Sequence, residues 1–207
     1  MRPVPGELVK TRRRGAPVLH TERLLLTLPA PSMAREHLDF AQDNAAHLGP
    51  WEPPLPADYF TLKFWRERLQ QNLDELEQGA SVRLSIFWKD DPDGVVLGNC
   101  NFGTIVWGAF HCATLGYRLD HRVVGQGVMG EALRGAIRYL FEDLGLHRIQ
   151  ANYRPTNERS GNVLRKLGFV VEGYARDYLY IDGAWRDHVL TSLTNPAMTG
   201  RPPRLPP

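Results

Sequence analysis

Arg122-Val123-Val124-Gly125-Gln126-Gly127-Val128-Met129-Gly130-Glu131 lies in mid-chain, with glycines at one end and an amphipathic run opening at the other. Val128, Met129, Ala132, Leu133, Ala136, Ile137, Leu140, Phe141 and Leu144 recur at three- and four-residue spacing, which marks one apolar helical face. Gly145 stands where a left-handed C-terminal cap belongs. The glycines therefore occupy a loop feeding a helix N-terminus. Amides there lack intrahelical acceptors, the helix dipole favours negative charge, and glycine admits a close approach. The stretch reads as a phosphate cradle; a plain glycine turn is the alternative on the loop alone. Gly125, Gly127 and Gly130 also fit G-x-G-x-x-G, but a dinucleotide fold expects an acidic residue after the next strand. His147 to Tyr153, the next strand candidate, carries Gln150 and Asn152 and no carboxylate.

Working outward, 207 residues suit one domain with a sizeable core. A hydrophobic content of 43%, a charged content of 23% and a net charge of +2 are those of an ordinary globular protein without a strong global field. No apolar run approaches the roughly eighteen residues of a membrane span, and no apolar segment follows the N-terminal basic residues as a secretory signal requires, so no membrane partner is expected. Two cysteines, Cys100 and Cys112, make no disulfide framework and point to a reducing cytoplasm. His111 beside Cys112 has no partners at zinc spacing, so no metal is expected.

Residues 1–18, with Arg2, Lys10, Arg12, Arg13 and Arg14, read as a basic flexible arm, either merely solvated or touching RNA or an acidic partner. Residues 196–207 read as a proline-rich flexible tail. Between them, residues 19–195 read as one α+β domain with a mixed sheet. Thr21 to Leu28 is the first strand, and Ser32 caps a helix running to about Leu48. A proline-dense loop around Trp51 comes next. A second helix follows, with Phe60, Phe64, Leu69, Leu73 and Leu76 on one side and Gly79 at its end. Val82 to Trp88, Val95 to Val106 and His111 to Leu119 form an antiparallel meander. After the central helix come the strand His147 to Tyr153, a short helix Asn157 to Leu167, and a hairpin turning at Asp182-Gly183.

The short helix presents Asn157 and Ser160 on one face of its first turn, a spacing that also suits an ordinary N-cap. Two helix N-termini then flank one crevice at the ends of neighbouring strands. Arg122-x-x-Gly125-x-Gly127 resembles the pyrophosphate loop of the GNAT superfamily of acyl-CoA-dependent N-acetyltransferases, and Asn157-x-x-Ser160 with Leu167-Gly168-Phe169 resembles its second motif. Thr21-Glu22-Arg23-Leu24 and the runs Glu172 to Leu179 and Ile181 to Thr191 are similar to the ribosomal-protein branch, of the RimJ type.

The resemblance implies a three-layer α/β/α fold whose mixed, mostly antiparallel sheet of about seven strands splays at the cofactor site. It implies acetyl-CoA as co-substrate, its pyrophosphate held by Arg122 and by the amides of Gly125, Gln126, Gly127, Val128, Met129 and Gly130. Leu119 and Asn157 would hold the pantetheine arm, and a backbone N–H at the splay would stabilise the oxyanion. Ser160 would protonate the departing thiolate. The base stays open among Asp177, Glu131, Tyr153, His111 and an ordered water. The implied acceptor is a protein N-terminus, an alanine of a ribosomal protein. An α-amine titrates near roughly 8 and is neutral about one time in ten at pH 7, whereas a lysine near about 10.4 is almost never so. A small-molecule amine, or acyl-CoA sensing without catalysis, are the other readings.

Overall fold

The structure is a computed structural model that describes residues 16–200. The basic arm and the proline-rich tail thus lie outside the described residues except for their inner ends, and β1 already begins at Val18. In chain order the elements are β1 (Val18–His20), β2 (Leu24–Thr27), α1 (Ala34–Asp43), the short α2 (Ala45–Leu48), α3 (Leu62–Glu77), β3 (Val82–Trp88), β4 (Gly98–Val106), β5 (Cys112–Leu119), α4 (Val128–Arg138), β6 (Arg148–Tyr153), α5 (Glu158–Lys166), β7 (Val170–Ile181) and β8 (Ala184–Thr194). Among the described residues the strands form one sheet in the order β1-β2-β3-β4-β5-β6-β8-β7, and only β5 and β6 pair in parallel.

The sheet is the expected mixed, mostly antiparallel one, but with eight strands rather than about seven. The extra strand, Val18–His20, lies just ahead of the expected Thr21 to Leu28 run, whose opening residues form a turn. The Thr21 amide donates to Leu24 O at 2.9 Å and the Thr21 hydroxyl accepts from Leu24 N at 3.1 Å. The chain therefore reverses through Glu22 and Arg23 and makes β1 and β2 a hairpin. The expected Ser32 cap is also absent. Ser32 lies in a single 3-10 turn, Pro31–Met33, ahead of α1, and the N-cap of α1 makes no side-chain bond. Asn44 then interrupts the expected long helix, because its buried amide is spent elsewhere, on Asp120 and His121. α3 is capped by the Thr61 hydroxyl on Phe64 N, and it buries Trp65 and Leu69, whereas the expected Phe60 is exposed.

Strand alternation builds the three layers. Leu24, Leu26, Leu84 and Ile86 point into a core shared with Val128, Met129, Ala132, Leu133 and Ala136 of α4. Leu25 and Phe87 point the other way, onto Phe40 of α1. Each fully buried leucine or isoleucine contributes about 1.5–3 kcal/mol, so the predicted apolar face of the central helix is what fixes α4 across the sheet. Past Arg138 the helix widens into one π turn, Tyr139–Asp143, and stops at Gly145, whose φ is +69°. The hairpin of β7 and β8 turns at Asp182 (φ +52°) and Gly183 (φ +71°), the two left-handed positions that an Asp-Gly turn supplies.

Candidate active site

β5 and β6 pair only from Cys112↔Arg148 to Leu115↔Ala151. Beyond that point β5 stays paired to β4 as far as Leu119, and β6 to β8 as far as Tyr153. The two strands thus part company with one edge of each left unpaired, which is the expected splay. Asp120 N donates to Leu97 O at 2.8 Å, so even-numbered residues at this end of β5 turn their backbone toward β4. Alternation leaves the N–H and C=O groups of Tyr117 and Leu119 facing the gap.

The glycine loop lies between β5 and α4. Gly125 (φ +84°) and Gly127 (φ +77°) are left-handed, and Gly127 is the N-cap of α4. A Cβ on Gly125 would meet nothing within 4 Å, so open space lies over the bend. Among the described residues, the amides of Gly125, Gly127, Val128, Met129 and Gly130 make no backbone hydrogen bond outside α4, while the Gln126 amide reaches Val123 O at 3.4 Å. These are the unsatisfied donors that an anion at a helix N-terminus needs.

The loop is pinned at both ends. Arg122 turns back on Asp120, its amide and Nε donating to one carboxylate oxygen at 2.8 and 2.9 Å and Nη2 to the other at 2.5 Å. Its guanidinium therefore shapes the loop entrance. Gln126 Nε2 closes the bend on Arg122 O at 3.0 Å. At the far end Glu131 accepts from the Thr21 hydroxyl at 2.5 Å, from Arg23 N at 2.8 Å and from Arg23 Nε at 2.7 Å. Arg23 Nη2 goes on to Gln126 O at 3.3 Å and lies 3.7 Å from where a Gly127 Cβ would stand. Thr21-Glu22-Arg23 is thus a turn that clips a sheet edge to the cradle, and Arg23 neutralises the one acid of the first turn. We expect Arg23→Met to weaken coenzyme A binding about fivefold by exposing a bound diphosphate to the Glu131 charge. Adding Glu131→Gln should restore most of the affinity, as calorimetry can check.

Asp120 is 1% exposed. Burial would raise its pKa, but hydrogen bonds from Arg122 and Asn44 outweigh that and hold the carboxyl below its usual range. A lowered carboxylate contributes stability that is present above the unfolded pKa of about 3.9 and lost as pH falls through the folded value. Asp120→Ala should cost about 3 kcal/mol at neutral pH. The gap to wild type should narrow as Asp120 protonates below about pH 4, read in denaturant melts.

Across the gap, Asn157 is the N-cap of α5, its Oδ1 accepting from Ser160 N at 3.1 Å. Its Nδ2 has no partner among the described residues. The Ser160 hydroxyl lies 2.7 Å from Tyr117 OH, which also approaches Ser160 O at 3.2 Å. Tyr117 was not singled out in the sequence. Burial pushes its hydroxyl up to about 12, against the opposing pull of the Ser160 bond, so it stays protonated at neutral pH. The second motif is therefore joined to β5 by one hydroxyl pair where the sheet opens.

Of the other base candidates, Asp177, Glu131 and His111 are not brought to that pair, whereas Tyr153 lies beside it. Asp177 is exposed in a bulge of the edge strand β7, with φ +47°, and its amide donates to Asp187 Oδ1 at 2.9 Å. Glu131 is engaged with Thr21 and Arg23, and those bonds, outweighing burial, hold its carboxyl low. His111 precedes the paired end of β5 and binds Gly108 O. Tyr153 packs over Gly161, where a Cβ would meet its ring at 2.8 Å. His188 is held to the backbone, its Nδ1 lying 2.9 Å from Arg186 O. The proline-dense loop is tied to the far end of β6 by Arg154, which donates to Pro50 O at 2.6 Å and lies over the Trp51 ring.

Residues 23–170 match the family profile described as an acetyltransferase (GNAT) domain. The chain belongs to the GNAT acetyltransferases. A [ribosomal protein uS5]-alanine N-acetyltransferase of Escherichia coli is 42% identical over 181 residues, covering 87% of this chain and 92% of that protein. The ribosomal-protein-S5-alanine acetyltransferase of Vibrio fischeri superposes with a TM-score of 0.82 at 36% identity, over 86% of this chain and 97% of that one. RimJ of Mycobacterium smegmatis, solved with a CoA-disulfide, does so with a TM-score of 0.78 at 29% identity, over 86% of this chain and 84% of that one. This GNAT chain is an acetyl-CoA-dependent N-acetyltransferase, with the α/β/α fold and splayed sheet expected of it. No helix among the described residues is long and apolar enough to cross a membrane.

Proposed function

We propose that the chain transfers acetyl from acetyl-CoA to the N-terminal α-amine of a protein, an alanine of a ribosomal protein, and acts in the cytoplasm where that acceptor is made. The observation carrying this reading is the 42% identity to a uS5-alanine N-acetyltransferase across 87% of the chain. The site chemistry agrees with it. Tyr117 and Leu119 turn backbone donors to the gap where an oxyanion would form, and the Ser160–Tyr117 pair stands where a leaving thiolate needs a proton.

Asn157 and the amides of Gly125 to Gly130 hold the carrier, with Leu119 offering the strand edge. Asp177 stays a candidate base only through movement of β7. An α-amine that is already neutral about one time in ten needs no strong base, and a water suffices. The basic arm is proposed to meet ribosomal RNA, and removing residues 1–14 should then weaken ribosome association in a salt-dependent way while sparing peptide acetylation. The test of the main reading is a mass-spectrometric acceptor screen with acetyl-CoA, covering Ala-initiated peptides, internal lysines and small amines. Turnover confined to the α-amine of Ala-initiated peptides is expected, and turnover confined to small amines overturns it.

A further inference from the structure

The face of the sheet turned away from α4 holds a cavity of about 240 Å³ between α3, the strands β3 to β5 and the proline-dense loop. Its charged lining is of one sign: Arg68 from α3, Arg83 from β3 and Arg118 from β5. Burial lowers the pKa of His37 and raises that of Tyr59, so both of these wall groups favour their neutral forms. Glu75 and Glu52 sit behind the wall. Glu75 accepts from Arg83 Nε at 2.9 Å, and Glu52 Oε1 lies 2.7 Å from Arg118 Nε, whose Nη1 donates to Tyr59 OH at 2.8 Å. Arg68 is left with the neutral Gln71 at 2.9 Å and with a share of Glu75 at 3.9 Å. Two carboxylates thus face three guanidiniums in a partly dehydrated space. Burial, and after it the like charge of Arg83, both work against the Arg68 charge. On the same face of α3, Trp65 and Asn72 also line the cavity and are more than nine-tenths buried. The Trp65 indole N–H and the Asn72 amide oxygen have no partner among the described residues.

This cavity adjoins the chemistry. Arg118 follows Tyr117 on β5, so the two point to opposite faces of the strand at the level where β5 and β6 separate. An amine entering the gap from the cavity side lays its following residues along these arginines, at about 3.3 Å per residue. We propose that the cavity selects acceptor peptides bearing a carboxylate side chain within their first few residues, with Arg68 as its partner. This rests on the α-amine acceptor reading above. A carboxylate can take two parallel N–H bonds from a guanidinium, which a neutral amide cannot match.

The test uses the full-length protein and Ala-initiated peptides that differ only by Glu or Gln at position two, three or four. At one position the Glu peptide should show a KM about tenfold below that of its Gln twin. In Arg68→Gln that ratio should collapse toward one, in Arg68→Lys it should survive in part, and raised salt should shrink it in wild type. A ratio within twofold at every position, or one that persists in Arg68→Gln, overturns the proposal. Turnover of all peptides without Glu preference leaves the α-amine reading standing and removes this one. If no peptide is turned over, the α-amine reading fails. Calorimetry with coenzyme A present then compares the same Glu and Gln peptides, and equal affinity overturns the cavity assignment.

Discussion

Gly127→Glu is expected to abolish coenzyme A binding, by at least about a hundredfold, in a protein that still folds. The residue caps α4 at φ +77°, a conformation that costs an ordinary side chain about 1–2 kcal/mol. That strain is small beside the stability of a domain, so the variant should melt only a few degrees low. The larger effect is electrostatic. In the proposed cradle the amides from Gly127 to Gly130 would hold the diphosphate, and a carboxylate planted at their head would compete for the same donors and repel the ligand. It would also draw Arg23 away from Glu131, adding a second negative charge to the first turn. Gly127→Ala isolates the strain and should keep most of the affinity. Thermal shift with added coenzyme A reads both, and a normal shift for the glutamate variant would place the diphosphate elsewhere.

Ser160→Ala should lower kcat about a hundredfold with the KM for acetyl-CoA within about twofold, since a positioned acid contributes roughly that much to a proton transfer. Tyr117→Phe should act through the same pair. With its proton held to about pH 12, Tyr117 can donate to the Ser160 oxygen and leave the serine proton free for the sulfur. Its loss should cost about tenfold or more, and the double variant should be no slower than Ser160→Ala, because groups acting as one unit are not additive. No alkaline limb from Tyr117 should enter the rate profile below about pH 11. A Ser160→Ala enzyme at wild-type rate would remove both hydroxyls from the chemistry.

The central helix and its loop were legible because their signals are local: a 3.6-residue apolar period and glycines where φ must be positive. The Asp182-Gly183 hairpin was legible for the same reason. The β1–β2 turn was not, because Thr21-Glu22-Arg23 contains no glycine, proline or asparagine. It is held by a threonine hydroxyl and by Glu131, more than a hundred residues away. Ser160 was legible through its motif, whereas Tyr117 acquires meaning only where β5 passes the first turn of α5, 43 residues later in the chain. The base was invisible to spacing, and no carboxylate among the candidates reaches the hydroxyl pair. The arginine cavity was equally hidden, since its walls come from two helices, three strands and the proline-dense loop, scattered through the sequence.

A sheet whose two halves meet through four residue pairs between β5 and β6 is mechanically two plates sharing a short seam. The plate of β6, β8 and β7 can tilt against the plate of β1 to β5 without breaking any other ladder. A carrier lying in the cleft bridges both plates and acts as a staple. Amide hydrogen exchange along the seam, from Cys112 to Leu115 and from Arg148 to Ala151, should therefore slow when coenzyme A is bound.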